Sequence, residues 1–273
     1  MKPIFLIALM LACFAGISSS GQEVFRNNEL TITKFEKNMW VMETSDHTTM
    51  YLIEGTQKAM LIDTGTKTEK LDSIVKLITA KPLCVVVTHL HPDHAGNVRF
   101  FDEIHYHPAD TLLLGRKGVS YGGKVNFVAD GQKIDLGETV LEVRLMPGHT
   151  PGSIVLLDWK TGNCYSGDAF GSGQVWMQLQ PHVSMATYAE SCRKMEALME
   201  NGISGIYCGH YPYVKKAFDK AYITDMRILA GELSKGVAPE AKPYSVKVPI
   251  GAQNPMITTN GSASIVFDPE NIN

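Results

Sequence analysis

Three of the chain's nine histidines and one aspartate fall within six consecutive positions: His89, His91, Asp93 and His94. They belong to the stretch Thr88-His89-Leu90-His91-Pro92-Asp93-His94-Ala95-Gly96. Imidazole and carboxylate are the groups zinc takes, at roughly 2.0–2.2 Å. The run just before them, residues 83–87, is short, apolar and β-branched and predicts a buried strand. The cluster therefore stands where a core strand runs out into a loop, the usual place for functional groups in an α/β fold. Near-extended backbone puts residues i and i+2 on one side, so His89 and His91 can reach one metal together. Pro92 ends the extended run, which frees Asp93 and His94 to turn toward a second point. Four such groups are expensive to bury at a strand end unless something neutralises or coordinates them. A polar loop whose histidines only bond one another fits less well.

Other candidates sit at similar places. His149 lies between two Pro/Gly pairs, Pro147-Gly148 and Pro151-Gly152, which predict a tight, fixed turn after the strand at 139–145. Asp168 follows the apolar run that starts at Cys164, and His210 follows the run 203–208. Asp63 ends the run 59–62 beside Gly65, where an acid can orient a ligand.

The elements that must position these groups follow from periodicity. Strands are expected at 30–33, 39–42, 50–53, 59–62, 83–87, 103–107, 154–157 and 203–208, with a hairpin at 134–145. Leu71, Ile74, Val75 and Ile78 recur at helical spacing. A helix at 184–200 carries the stripe Met185, Tyr188, Cys192, Met195 and Met199, better suited to a core than to a cofactor. The last helix is expected at 215–233, and the tail 239–273 reads as loop and strand. His105 and His107 alternate with Tyr106 on an apparent edge strand, which suits a surface role better than coordination. The connection 121–127 could overhang the site. This order predicts a layered α/β architecture of two half-domains whose strand ends meet at one edge, where such sheets bind ligands.

Residues 1–21 read as a signal peptide: Lys2, a short apolar core at 4–15, then small residues ending near Gly21. That core is too short to span a bilayer comfortably. The expected destination is a bacterial periplasm, the cell surface or the medium, with a lipoprotein start at Cys13 as the rival. The remaining 22–273 can make one domain, with its core at about 30–233 and a tail at 234–273. A composition with 44% hydrophobic and 19% charged residues and a net charge of −3 is that of a soluble globular protein. It has no basic footprint for nucleic acid and no further span. Cys84, Cys164, Cys192 and Cys208 form no CxxC pair and are expected as buried thiols.

Taken in order, Leu61-Ile62-Asp63-Thr64-Gly65, the 88–96 stretch, Pro147-Gly148-His149-Thr150-Pro151-Gly152-Ser153, Ser166-Gly167-Asp168 and Gly209-His210 resemble the metallo-β-lactamase superfamily. The resemblance implies a four-layer αβ/βα sandwich and a metal-dependent hydrolase acting on a small-molecule substrate, with no particular oligomeric state. It implies two zinc ions per chain, or iron or manganese at the same ligands. His89, His91 and His149 would take the first; Asp93, His94 and His210 the second; Asp168 would bridge them. Asp63 would hold a ligand histidine. A hydroxide between metals roughly 3.5–4 Å apart would attack an ester, lactone, thioester or amide, with Asp93 orienting it and carrying the proton. Zinc β-lactamases with a cysteine ligand would need one at Asp168, and those with only histidines and one aspartate lack the bridge. That leaves β-lactam hydrolysis as an alternative. Glyoxalase II carries a histidine where this chain has Leu90. The 88–96 loop is closest in style to the lactonase branch. An iron-dependent sulfur dioxygenase is the alternative of another class. Trp176, Met177, His182, Tyr211 and Tyr213 flank the ligand segments as candidate pocket walls, with Tyr121 and Phe127 in the overhanging connection.

Overall fold

The structure, a computed structural model, describes residues 21–115, 119–181 and 183–272. Residues 1–20 of the expected leader, Cys13 among them, and the candidate pocket residue His182 lie outside the described residues. The first sheet has eight strands in sequential order: Gln22–Arg26 (β1), Leu30–Glu36 (β2), Met39–Thr44 (β3), Thr49–Glu54 (β4), Ala59–Ile62 (β5), Leu83–Val86 (β6), Glu103–Tyr106 (β7) and Lys124–Phe127 (β8). Its first five strands form an antiparallel meander and the last four run parallel. Next along the chain come Lys133–Asp135 (β9), Val140–Leu145 (β10), Ile154–Asp158 (β11), Asn163–Gly167 (β12), Gln174–Trp176 (β13) and Gly205–Cys208 (β14). The second sheet runs β14-β12-β11-β10-β9.

Period-2 side-chain alternation sorts these strands into layers. In β5, Ala59 and Leu61 join a core with Leu71, Ile74 and Val75 of the helix Leu71–Ile78 (α1), while Met60 and Ile62 face the second sheet. In β11, Ile154 and Leu156 face the first sheet. Val155 and Leu157 pack instead toward two helices, Met185–Glu200 (α3) and Lys220–Leu233 (α5). Helix, sheet, sheet, helix is the expected four-layer sandwich. The stripe of α3 is buried at Met185, Tyr188, Cys192 and Met195, with Met199 packed against it. Two four-residue helices complete the set, Pro92–Ala95 (α2) and Tyr211–Val214 (α4).

Three expectations need correction. The last helix starts at Lys220, not near 215, because Lys215 is left-handed and the Asp219 side chain accepts from the Tyr222 amide as an N-cap. β7 is not an edge: it pairs on one side with β6 and on the other with β8. Residues 124–127, expected within an overhanging loop, are that edge strand, so Phe127 stands exposed against Tyr106 and the Tyr121 hydroxyl donates to the Lys124 carbonyl. The tail does more than add loop and strand. Lys242–Pro243 (β15), Met256–Asn260 (β16) and Ala263–Phe267 (β17) build a third sheet with β13, in which β13 and β17 are parallel. The four cysteines at 84, 164, 192 and 208 are free thiols, three buried and Cys84 half-buried. No helix among the described residues is long and apolar enough to cross a membrane.

Candidate metal centre

Each candidate ligand leaves a strand and is then fixed by a local device. His91 keeps extended backbone and caps α2, whose first residue is Pro92; the His94 and Ala95 amides both donate to the His91 carbonyl. That single turn swings Asp93 and His94 away from His89 and His91. Asp63 ends β5 in a left-handed conformation, φ 63°, and its carboxylate accepts from the Thr88 amide at 2.7 Å and the Thr88 hydroxyl at 2.9 Å. Gly209 is required by proximity: a Cβ there would overlap the His94 ring and the Asp168 carboxylate.

Two groups result. The ligand atoms of His89, His91 and His149 lie within 4.8 Å of one another, as do those of Asp93, His94, Asp168 and His210. His91 Nδ1 and His149 Nε2 converge to 2.9 Å. In the second group His210 Nε2 is 3.4 Å from Asp93 Oδ2 and 3.3 Å from Asp168 Oδ2. Asp168 lies between the groups, with Oδ1 3.5 Å from His94 Nε2 and Oδ2 3.8 Å from His149 Nε2.

The ring nitrogens facing away from these points are held. His94 Nδ1 lies 2.8 Å from Asp63 Oδ2, His149 Nδ1 2.9 Å from the Trp176 carbonyl, and His210 Nδ1 3.1 Å from the His47 carbonyl. Such outer bonds set tautomer and orientation and leave Nε2 as the electron-pair donor. Meanwhile His89 Nε2, His94 Nε2 and Asp168 Oδ1 are buried with no hydrogen-bond partner. Buried polar atoms are rarely left so, and an ion is one of the usual reasons. Donor types, convergence and orphaned atoms all fit divalent cations.

The two groups also differ electrostatically. Burial, reinforced by neighbouring imidazoles, pushes His89 well below the usual histidine range and His91 down to about 3; burial lowers His149 as well. Burial also acts against charge on His94 and His210, but Asp168 and Asp93 outweigh it and hold both well above that range. Burial alone would raise Asp93 and Asp168; the His94 and His210 charges override it and keep both carboxyls low. Burial thus dominates in the three-histidine group, whereas in the other, two carboxylates and two imidazoles stand interleaved.

The model of the metallo-beta-lactamase superfamily matches residues 44–210, which contain every one of these groups. The chain belongs to the metallo-β-lactamase superfamily. With hydrolases among its curated relatives, the chain is a hydrolase. The acyl-coenzyme A thioesterase MBLAC2 of Gallus gallus is 26% identical over 210 residues, covering 62% of this chain and 74% of the relative. The hydroxyacylglutathione hydrolase of Francisella philomiragia is 29% identical over 135 residues, 49% of this chain and 52% of the relative. In fold the chain is similar to a metallo-β-lactamase from Erythrobacter litoralis, with TM-score 0.58, 20% identity, and coverage of 76% of this chain and 99% of the other.

Within this superfamily site the candidate walls sort clearly. Trp176 and Tyr213 line a cavity of about 600 Å³ whose floor is His91, Asp93, His149, Asp168 and His210. Tyr211 does not; it is buried between Phe35 and Tyr207 in the core between the sheets. Met177 is core beneath α3 and α5. Tyr121 and Phe127 are not among the residues lining the cavity, for the reason given by β8. His105 contacts the Val85 carbonyl and His107 accepts from the Ala109 amide, both away from the ligands.

One residue escaped the sequence reading. Asp110 is buried, and its carboxylate accepts from the Leu90 amide at 3.1 Å, the Gly152 amide at 2.6 Å and the Thr150 hydroxyl at 2.8 Å. It ties the loop of His89 and His91 to the loop of His149. Burial raises its carboxyl pKa despite these three donors. An acid two residues after Pro108, which starts a turn just past β7, was the available signal. Asp110→Asn turns an amide toward donors and leaves a buried N–H unpaired, so a loss of about 1–3 kcal/mol is expected. Denaturant unfolding checks this, and unchanged stability would show that the tie carries nothing.

Proposed function

We propose that the chain is an exported, dinuclear zinc-dependent hydrolase of ester, lactone, thioester or amide bonds. The observation that carries this reading is the placement of Asp168 between two complete ligand groups at the floor of one cavity. His89, His91 and His149 would hold one ion and Asp93, His94 and His210 the other, with Asp168 shared. When bound, the ions supply an activated water near neutral pH and polarise the scissile carbonyl. The chain's own part is orientation and proton handling. Asp63, the Trp176 carbonyl and the His47 carbonyl fix three imidazoles. Asp93 is the more open of the two acids, its side chain 41% exposed against 13% for Asp168. Its carboxylate therefore takes the proton of the attacking water and returns it to the leaving atom.

Among the four bonds the thioester is favoured, because the curated relatives include an acyl-coenzyme A thioesterase. Likeness to β-lactamases concerns fold alone. Export rests on the character of residues 1–21, and a mature chain still beginning at Met1, seen by mass spectrometry, would contradict it. The activity is tested with zinc-loaded protein on thioesters, lactones, phosphoesters and nitrocefin. A thioester or lactone is expected to give the highest kcat/KM; nitrocefin turnover equal to the best of them would overturn the assignment.

A further inference from the structure

The family match ends at residue 210, yet part of the cavity wall comes from beyond it. Val248, Ile250 and Ser264 of the tail line the same cavity as the ligand residues. The tail is pinned there by several bonds. The Gln180 amide donates to the Ile250 carbonyl at 3.0 Å, Gln174 Nε2 to the Tyr244 hydroxyl at 2.7 Å, and the Ser264 amide to the Gly173 carbonyl at 3.0 Å. Tyr244 also meets the Trp176 ring edge-on at 5.9 Å. Trp176 links wall to centre, since its carbonyl is the group that holds His149 Nδ1.

The chemistry of that wall is one-sided. Trp176, Leu179, Val248 and Ile250 present indole and aliphatic carbon, and the carboxylates lining the cavity among the described residues are Asp93 and Asp168 on the floor. No lysine or arginine lines it among the described residues. A substrate carboxylate or phosphate lodged against this wall would lose water and meet no lysine or arginine there among the described residues. An alkyl or aryl group would instead exchange water for carbon contacts, at about a fourfold gain in binding for each methylene buried.

We infer that Trp176, Leu179, Val248 and Ile250 form a subsite for an uncharged apolar chain of the substrate, which Val248 and Ile250 of the tail complete from beyond the family match. The inference rests on the hydrolase reading for its kinetic test but not for its binding test. In kinetics, zinc-loaded enzyme is given p-nitrophenyl esters from acetyl to octanoyl, and acetate esters of alcohols of matching lengths. In one of the two series kcat/KM is expected to rise at least about tenfold from the shortest to the longest chain. A terminal carboxylate on that longest chain should remove the gain. Ile250→Glu, at a position 38% exposed and so tolerant of change, should bring the long-to-short ratio close to one.

In binding, metal-free protein is titrated with octanamide and followed by tryptophan fluorescence. A saturable change is expected that is lost in Trp176→Phe, with Trp40 and Trp159 remaining as internal controls, and weakened at least about tenfold in Ile250→Glu. Flat chain-length profiles in both series, or equal turnover of the octanoyl ester and its carboxylate analogue, would overturn the subsite while the hydrolase reading stands. Octanamide binding through Trp176 with no hydrolysis of any ester, lactone, thioester or amide would overturn the proposed function and leave the subsite in place.

Discussion

Asp93→Asn protein saturated with two metals is expected to run the chemical step at least about 100-fold more slowly than the wild type. Asp93 Oδ2 stands 3.4 Å from His210 Nε2 and 3.8 Å from His94 Nε2, so the carboxylate belongs to the ligand group. It is also the acid open to the cavity. An asparagine oxygen can still coordinate, so excess zinc should refill the site. What the amide cannot do is accept a proton. Positioned acid–base assistance is typically worth 10²–10⁴-fold, roughly 3–5 kcal/mol of barrier. Single-turnover kinetics on metal-saturated protein isolates this step, since slow product release could mask it in steady state. Near-wild-type single-turnover rates would reduce Asp93 to a ligand and move proton handling elsewhere.

The second large effect concerns Asp168. Its Oδ1 is buried without a partner, and its two oxygens reach His94, His210 and His149 at 3.5, 3.3 and 3.8 Å. Asp168→Ala removes the acid that stands between His94 and His210. The three-histidine group keeps all its members. The variant is therefore expected to retain one metal and to lose affinity for the second by more than the roughly 10–100-fold that loss of an outer hydrogen-bond partner costs. His89→Ala should show the reverse order. Zinc titration of the two variants side by side reads this directly. Equal affinity for both equivalents in Asp168→Ala would remove Asp168 from its shared position.

How much of this was legible in the residues depended on how local each cause is. His89, His91, Asp93 and His94 declare themselves because one proline-started turn, inside nine residues, sends them to two points. His149 and His210 are legible because each follows a β-branched or aromatic-rich strand and a glycine. Asp63 could be read as an acid at a strand end, but its bond to His94 joins residues 31 apart. Asp110 bridges 20 and 42 positions, and the His47 partner of His210 is a carbonyl that every residue possesses. No pattern in the chain marks such partners. The misreadings have the same origin. Residues 124–127 are four half-buried or exposed positions that become a strand only because β7 offers them a free edge. The tail pairs in parallel with β13 across about ninety intervening residues, a contact that periodicity cannot announce. Tyr211 looked like a pocket wall because it follows His210, yet helical geometry turns it into the core between the sheets.

Both ligand groups are expected to hold metal at once in one site. Stripping the protein of metal and titrating it with zinc, with elemental analysis of the saturated product, tests it most directly. Two equivalents per chain are expected, the second lost in Asp168→Ala. A fully folded protein that saturates at one equivalent under excess zinc would contradict the account.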